Sequence, residues 1–315
     1  MKRALAVLAC LVLVCGFAGC GKTVSTVPHG DADGSSTTTT LATSTQQQTT
    51  GSTTSTQTSQ ATTDTPPDTT DEIYGVNRWR LDYDLGTCRH LRGNVAVVLF
   101  FMNDSQSTWE QTDMLAFTQN EVEPALAFLE KAAKGYGVEL ELTVQHSYGP
   151  FAYDGTVSPG ISGGQVTTDV LSQAARGQGY TSDKALIAAL KAQYGTEVVC
   201  LTVFNKNGTA YAINPQRGET IQLEEHCILF TCDRNASYSL PGYQASVVAH
   251  EMLHLFGAED FYTPATRKAV AKSHYPKDIM LIQPYNIYNT TIEEATAFYV
   301  GWTDEAPLVL FHSEW

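Results

Sequence analysis

Residues 250–260 read HEMLHLFGAED. On a helix, His250 and His254 lie four apart and project from one face, so both imidazoles can address a single ion. Neutral imidazole nitrogen suits Zn2+, and three protein ligands leave a fourth position for water. Glu251 sits beside the first histidine, where its carboxylate can reach that water rather than the ion. A third ligand cannot come from the same straight helix, because a residue six past His254 lies about 9 Å along the axis and roughly 240° round it. The chain must turn, and Gly257 is placed to stop the helix in the left-handed conformation. Asp260 can then swing back as a carboxylate ligand. The competing reading is a buried helix with two ordinary histidines.

The helix needs a scaffold. NVAVVLFFMND (94–104) and EVVCLTVFN (197–205) are apolar and β-branched, and read as buried strands. VELELTVQHS (138–147) alternates and predicts a strand with one solvated face. EEHCILFT (224–231) is a further strand, and TAYAIN (209–214) a short one, with Asn207-Gly208 as a two-residue turn before it. Helical spacing runs from Ser107 to about Lys134, where Pro124 kinks or splits the helix. A second helix covers about 182–194, starting at Ser182-Asp183 and stopping before Gly195. The Gly/Pro-dense segment 149–165 predicts a long loop, and Pro241-Gly242 opens the motif helix. In that helix Val248, Met252, Leu255, Ala245 and Ala249 are expected to bury the face away from the ion. The order predicts an α/β domain with a twisted, mixed but mostly parallel sheet packed on long helices.

The chain has 315 residues and a formal charge of −14. It begins MKRALAVLACLVLVCGFAGC, a short basic start and an apolar run of secretory length, too short to span a bilayer comfortably. Residues 20–72 are dominated by Thr, Ser and Gln and cannot bury enough apolar surface to order, which predicts a disordered linker with a reach of roughly 40 Å. Residues 73–315 remain as one sizeable domain. Removing residues 1–19 deletes Lys2 and Arg3 and no acid, which takes the charge from −14 to about −16. Nucleic acid is excluded as a partner on that charge, and a monomer is expected. Cys88, Cys200, Cys227 and Cys232 show no CxxC spacing. They allow three disulfide pairings or free thiols.

His250-Glu251-x-x-His254-x-x-Gly257-x-x-Asp260 resembles the signature of the metzincin zinc peptidases, in the minority form with aspartate as third ligand found in snapalysin-like peptidases. The resemblance implies a metzincin-like fold, with the active-site helix followed by a Met-turn and a C-terminal helix. Asp278-Ile279-Met280 matches the Met-turn, and TIEEATAFYVGW the helix after it. It implies zinc held by His250, His254 and Asp260, and Glu251 as general base in peptide hydrolysis. Glu259 is the competitor for the third ligand position. A tyrosine that some members carry two residues beyond the Met-turn methionine is Ile282 here; Tyr262, Tyr285 and Tyr288 are candidates by position, and His274 is a further residue near the site. Members bind extended peptides along an antiparallel edge strand. TAYAIN is the candidate strand, although the Asn207-Gly208 turn would pair it with the preceding strand instead of a later one. Cys88 is weighed as a latency thiol, without a supporting motif.

Phe17-Ala18-Gly19-Cys20 resembles a bacterial lipobox with Phe in place of the usual leucine. It implies a lipid at Cys20, membrane anchoring and a cell-surface location. Together these readings predict a surface-anchored zinc endopeptidase acting on proteins or peptides. Two alternatives stand beside it: a binding lipoprotein or adhesin with a structural zinc, and a zinc amidase acting on cell-wall material.

Overall fold

Alternate residues of the strand Gly93–Asn103 (β1) feed two different cores. Val95, Val97, Leu99 and Phe101 point to one face of the sheet, and Ala96, Val98, Phe100 and Met102 to the other. A strand buried on both faces must be apolar throughout, which is why this segment reads as a continuous run instead of an alternation. In the computed structural model the described residues are Cys88, 91–157, 167–214, 224–233 and 244–311. The signal segment, Cys20, the Thr/Ser/Gln tract and Pro241-Gly242 lie outside them.

Leu140–Ala152 (β2), Glu197–Gly208 (β3), Tyr211–Ile213 (β4) and His226–Asp233 (β5) complete a five-stranded sheet of order β2-β1-β3-β5-β4. Every pairing is parallel except β4 against β5. The expected α/β fold with a mostly parallel mixed sheet is therefore present. Glu123–Gly135 (α2) and Gln244–Leu255 (α5) cover one face; Val170–Gly177 (α3) and Asp183–Tyr194 (α4) cover the other. The Ser182 side chain caps α4 and Gly195 ends it with φ 68°, as the sequence predicts.

Pro124 acts differently from a simple kink. Gln111–Phe117 (α1) leads into a π-helical turn, Thr118–Val122, before α2 resumes. Proline has no N–H for the carbonyl four residues back and crowds it, and a wider turn accommodates both problems. The bulge places buried Glu121 so that its carboxylate accepts the Ala245 N–H (3.1 Å) at the start of α5. An anion there satisfies an orphan donor and complements the helix dipole.

Three expectations are corrected. The loop assigned from Gly149 begins later, because β2 continues through Gly149-Pro150 to Ala152. Proline is tolerated there because β2 is an edge strand; residues 158–166 lie outside the described set. Asn207-Gly208 is not a hairpin turn. It is the end of β3, paired in parallel with Cys232 and Asp233, and β4 pairs with β5. The glycine serves close approach: a Cβ on Gly208 would lie 2.4 to 2.6 Å from ring atoms of Phe230. The C-terminal helix is only Glu294–Tyr299 (α7), because Thr291 is held in a bridge to Asp278. The sequence reading also omits α3 and Ala265–His274 (α6), which buries only Val270 and Ala271. Among the described residues, no helix is long and apolar enough to cross a membrane.

The Gly208 contact yields a direct test. Gly208→Ala should lower unfolding free energy by about 1–3 kcal/mol, the usual cost of overpacking a filled core. A denaturation midpoint equal to wild type would show that Phe230 moves aside freely.

Candidate metal centre

Helix α5 is buried nearly all round, so its sequence, QASVVAHEMLHL, carries apolar residues on every side. Ala245, Val248, Ala249, Met252 and Leu255 all enter the main core, as predicted. The helix ends in a Schellman motif: Ala258 N–H donates to the Leu253 carbonyl and Gly257 N–H to that of His254, both at 3.1 Å. Gly257 takes φ 93°, the left-handed conformation that reverses the chain. Beyond it, Phe261 is fully buried and its N–H donates to the Met280 carbonyl at 2.9 Å. Asp260 is thereby held between two anchored neighbours and returns to face the helix.

The structure brings His250, His254 and Asp260 together. His250 Nε2 and His254 Nε2 are 3.1 Å apart, and Asp260 Oδ1 is 3.2 Å from each. Which ring nitrogens carry protons follows from the outer partners. His250 Nδ1 lies 3.1 Å from the Ile279 carbonyl and His254 Nδ1 2.6 Å from the Ala258 carbonyl. Carbonyls only accept, so each neutral ring carries its hydrogen on Nδ1 and presents a lone pair at Nε2. The Gln283 amide also reaches His250 Nδ1 at 2.9 Å; with its oxygen turned to the ring it is a second acceptor.

With the rings neutral, three acceptors face one another with no donor between them, and the buried Asp260 Oδ1 lacks a hydrogen-bond partner. Such an arrangement calls for a cation. A centre tetrahedrally related to the three atoms lies about 2 Å from each, the zinc–nitrogen and zinc–oxygen bond length. The donor set therefore fits zinc, with the fourth position left open among the described residues. In the absence of a metal, a proton is the substitute. Burial opposes charge on His254, but the Asp260 hydrogen bond and the charges of Glu251 and Asp260 outweigh it and hold its pKa up at about 9. Burial likewise pushes the Asp260 carboxyl up, and the two histidines more than reverse this, holding it well below the usual carboxylate range.

Glu251 is buried beside the ligands; burial raises its pKa, and the Ala212 N–H of β4 bonds to its carboxylate. The edge strand is tied to α5 a second time where Asn214 Nδ2 donates to the His254 carbonyl at 2.6 Å. Tyr262 stacks over His250 at 6.1 Å and 21°, with its hydroxyl bonded to the Asp260 carboxylate. Met280, the methionine expected in a Met-turn, is fully buried, and its N–H donates to Asp278 Oδ1 at 2.7 Å.

The remaining candidates lie elsewhere. Glu259 is turned to Arg267 at 2.5 Å. His274 bonds the Val270 carbonyl of its own helix, α6. Tyr285 and Tyr288 are exposed, and the Tyr288 ring faces Lys131. Cys88 is buried with its thiol on the Val198 carbonyl, and Cys88, Cys200 and Cys227 are free thiols.

Asp278 is an organising residue that sequence reasoning misses. Asp278, fully buried, accepts from Met280 N–H, Glu293 N–H (2.8 Å) and the Thr296 hydroxyl (2.9 Å to both oxygens). It fixes the turn whose Ile279 carbonyl orients His250. Its signal in the sequence is only its place beside the Met-turn methionine.

The His254 proton leads to a pH prediction with a definite sign. A zinc ion held there would have to displace it, so binding should release protons, and apparent affinity should fall as pH drops below about 9, roughly tenfold per unit for one proton. Calorimetric titrations at pH 7 in buffers of different ionisation enthalpy should show about one proton released; none released would remove His254 from the ligand set. No protein-family model matches this chain, and no curated protein is significantly similar to it.

Proposed function

We propose that the protein is a zinc-dependent endopeptidase of metzincin-like architecture, held at the outer cell surface by a lipid on Cys20 and acting on proteins or peptides. The observation that carries the reading is the triangle of acceptors contributed by buried His250 and half-buried His254 and Asp260, with a buried carboxylate, Glu251, beside it. A structural zinc site would close its fourth position with protein, and only three ligands converge among the described residues. The pairing of β4 with β5 also favours the reading, since it puts an antiparallel edge strand next to the metal helix, where an extended peptide can add.

Zinc at this site would supply Lewis acidity, activating water near neutral pH and polarising the scissile carbonyl. Glu251, whose burial raises its affinity for protons, takes one from the attacking water and passes it to the leaving amine. The Ala212 N–H keeps the carboxylate aimed between helix and edge strand. Tyr262, stacked on His250, is the candidate for the role that some family members give to a tyrosine at the position of Ile282. Its hydroxyl can turn from Asp260 to donate to the carbonyl oxygen as charge builds there.

The test uses the full-length protein. Wild type should bind one zinc per chain and cleave unfolded protein substrates. Asp260→Ala should lose most of the zinc, whereas Glu251→Gln should keep it and lose about 100-fold or more in turnover. Full activity in Glu251→Gln, or a wild type that binds no zinc after reconstitution, would end the reading. Tyr262→Phe should retain zinc and lower kcat by about 10- to 100-fold with KM little changed. An unchanged kcat would leave Tyr262 as a packing residue.

A further inference from the structure

Two adjacent carboxylates, Glu259 and Asp260, stand on the loop that returns to the metal helix, and only one meets the histidines. Spacing alone does not explain the choice, because a glutamate one residue earlier has an extra methylene of reach. The structure offers a reason. Arg267, on the first turns of α6, places Nη1 2.5 Å from the Glu259 carboxylate and 3.2 Å from the Asp260 carbonyl oxygen. One guanidinium nitrogen thus joins the side chain of the rejected carboxylate to the backbone of the accepted one.

We propose that Arg267 is a positioning residue for the metal centre: it draws Glu259 away from the histidines and locks the Asp260 backbone so that the Asp260 carboxylate is the third ligand. The proposal rests on the metal reading above and adds the device that selects its ligand.

The geometry requires a device of this kind. His254 Nδ1 fixes the loop at the Ala258 carbonyl, and Phe261 N–H fixes it at the Met280 carbonyl. Between these anchors Arg267 holds the carbonyl oxygen of Asp260. A rotation there would carry Asp260 Oδ1 away from its 3.2 Å separation from both rings. Guanidinium suits the task because the two hydrogens of Nη1 are fixed in a plane and can serve a carboxylate and a carbonyl together, whereas the ammonium of lysine rotates freely. Arg267 and Glu259 are only partly exposed, so the pair is less screened than a surface ion pair. The pairing also explains a sequence feature that has no other role here: α6 buries little apolar surface, yet it is interposed between the ligand loop and the Met-turn.

Arg267 does not touch the ion, so its effect should appear in metal affinity and ligand geometry. With the full-length protein, zinc Kd is measured by chelator competition for wild type, Arg267→Ala, Arg267→Lys and Glu259→Gln, and the visible spectrum is recorded after cobalt substitution. Outer-shell partners of metal ligands typically contribute 10- to 100-fold to affinity. Arg267→Ala should weaken zinc binding at least about tenfold and alter the cobalt spectrum, while the melting temperature of the metal-free protein changes little. Arg267→Lys should recover part of the affinity. Should Arg267→Ala fold poorly, Glu259→Gln carries the test, with an expected loss of about threefold or more. Zinc binding that needs Asp260 but is unchanged in Arg267→Ala and Glu259→Gln would overturn the clamp and leave the metal centre standing. A wild type without zinc would overturn both.

Discussion

Two backbone carbonyls, Ile279 and Ala258, decide the chemistry of this site. Each accepts a hydrogen bond from Nδ1 of a histidine and so determines that the opposite nitrogen presents a lone pair. Without them the rings could take the other tautomer, or rotate to bond each other, and the triangle with Asp260 would be an ordinary hydrogen-bonded cluster. The rest of the fold can be understood as the means of putting those carbonyls in place. Ala258 belongs to the helix-ending motif that Gly257 makes possible. Ile279 belongs to a turn organised by Asp278, which in turn is held by Thr296 and Glu293 from the C-terminal segment. Elements distant in sequence thus converge on two oxygen atoms.

The helix itself is held at both ends. Glu121, from the π-helical turn before Pro124, accepts the Ala245 N–H in the first turn, and Asn214, from the edge strand, donates to the His254 carbonyl near the other end. A π-turn is a costly departure from regular hydrogen bonding, and it recurs where a side chain must be aimed. Here it aims a carboxylate at the helix carrying His250 and His254. The same edge strand reaches Glu251 through the Ala212 N–H, so the strand beside which a peptide would lie also orients the base. On the proposed function, substrate docking and proton transfer would be coupled through this one short element.

What was legible in the sequence was local. The i, i+4 histidines, Gly257 and Asp260 depend on helix geometry and a chain reversal, and both can be read from spacing. The buried strands β1 and β3 announce themselves by unbroken apolar runs, and α4 by Ser182 and Gly195. The misreadings were cases in which tertiary contact overrode a local signal. Asn207-Gly208 has the composition of a tight turn, but parallel pairing with β5 and the ring of Phe230 claim that glycine. Gly149-Pro150 looks like a loop, but an edge strand has no use for the missing N–H on its open side. Asp278, Arg267, Gln283 and Glu121 could not be assigned roles, because each acts on a residue at least seven positions away through a contact that only the fold creates.

Such a site is a local conflict that the fold tolerates. Glu251 is buried in an otherwise apolar helix and Asp260 half-buried on the loop beyond it, and the neutral histidines offer Asp260 only lone pairs. Isolated buried charges are costly enough that proteins normally neutralise them by protonation or pairing. In the metal-free state the response is to hold a proton on His254, which restores one donor to the triangle. A divalent cation resolves the conflict more completely, since it satisfies all three acceptors at once and partly offsets Glu251 nearby. Aspartate as third ligand fits the same logic. Its negative charge balances more of the cation than a third histidine would, and its short side chain obliges the loop to approach closely. That close approach is what Gly257, Phe261 and Arg267 together enforce, so the choice of ligand and the conformation of the loop are one constraint.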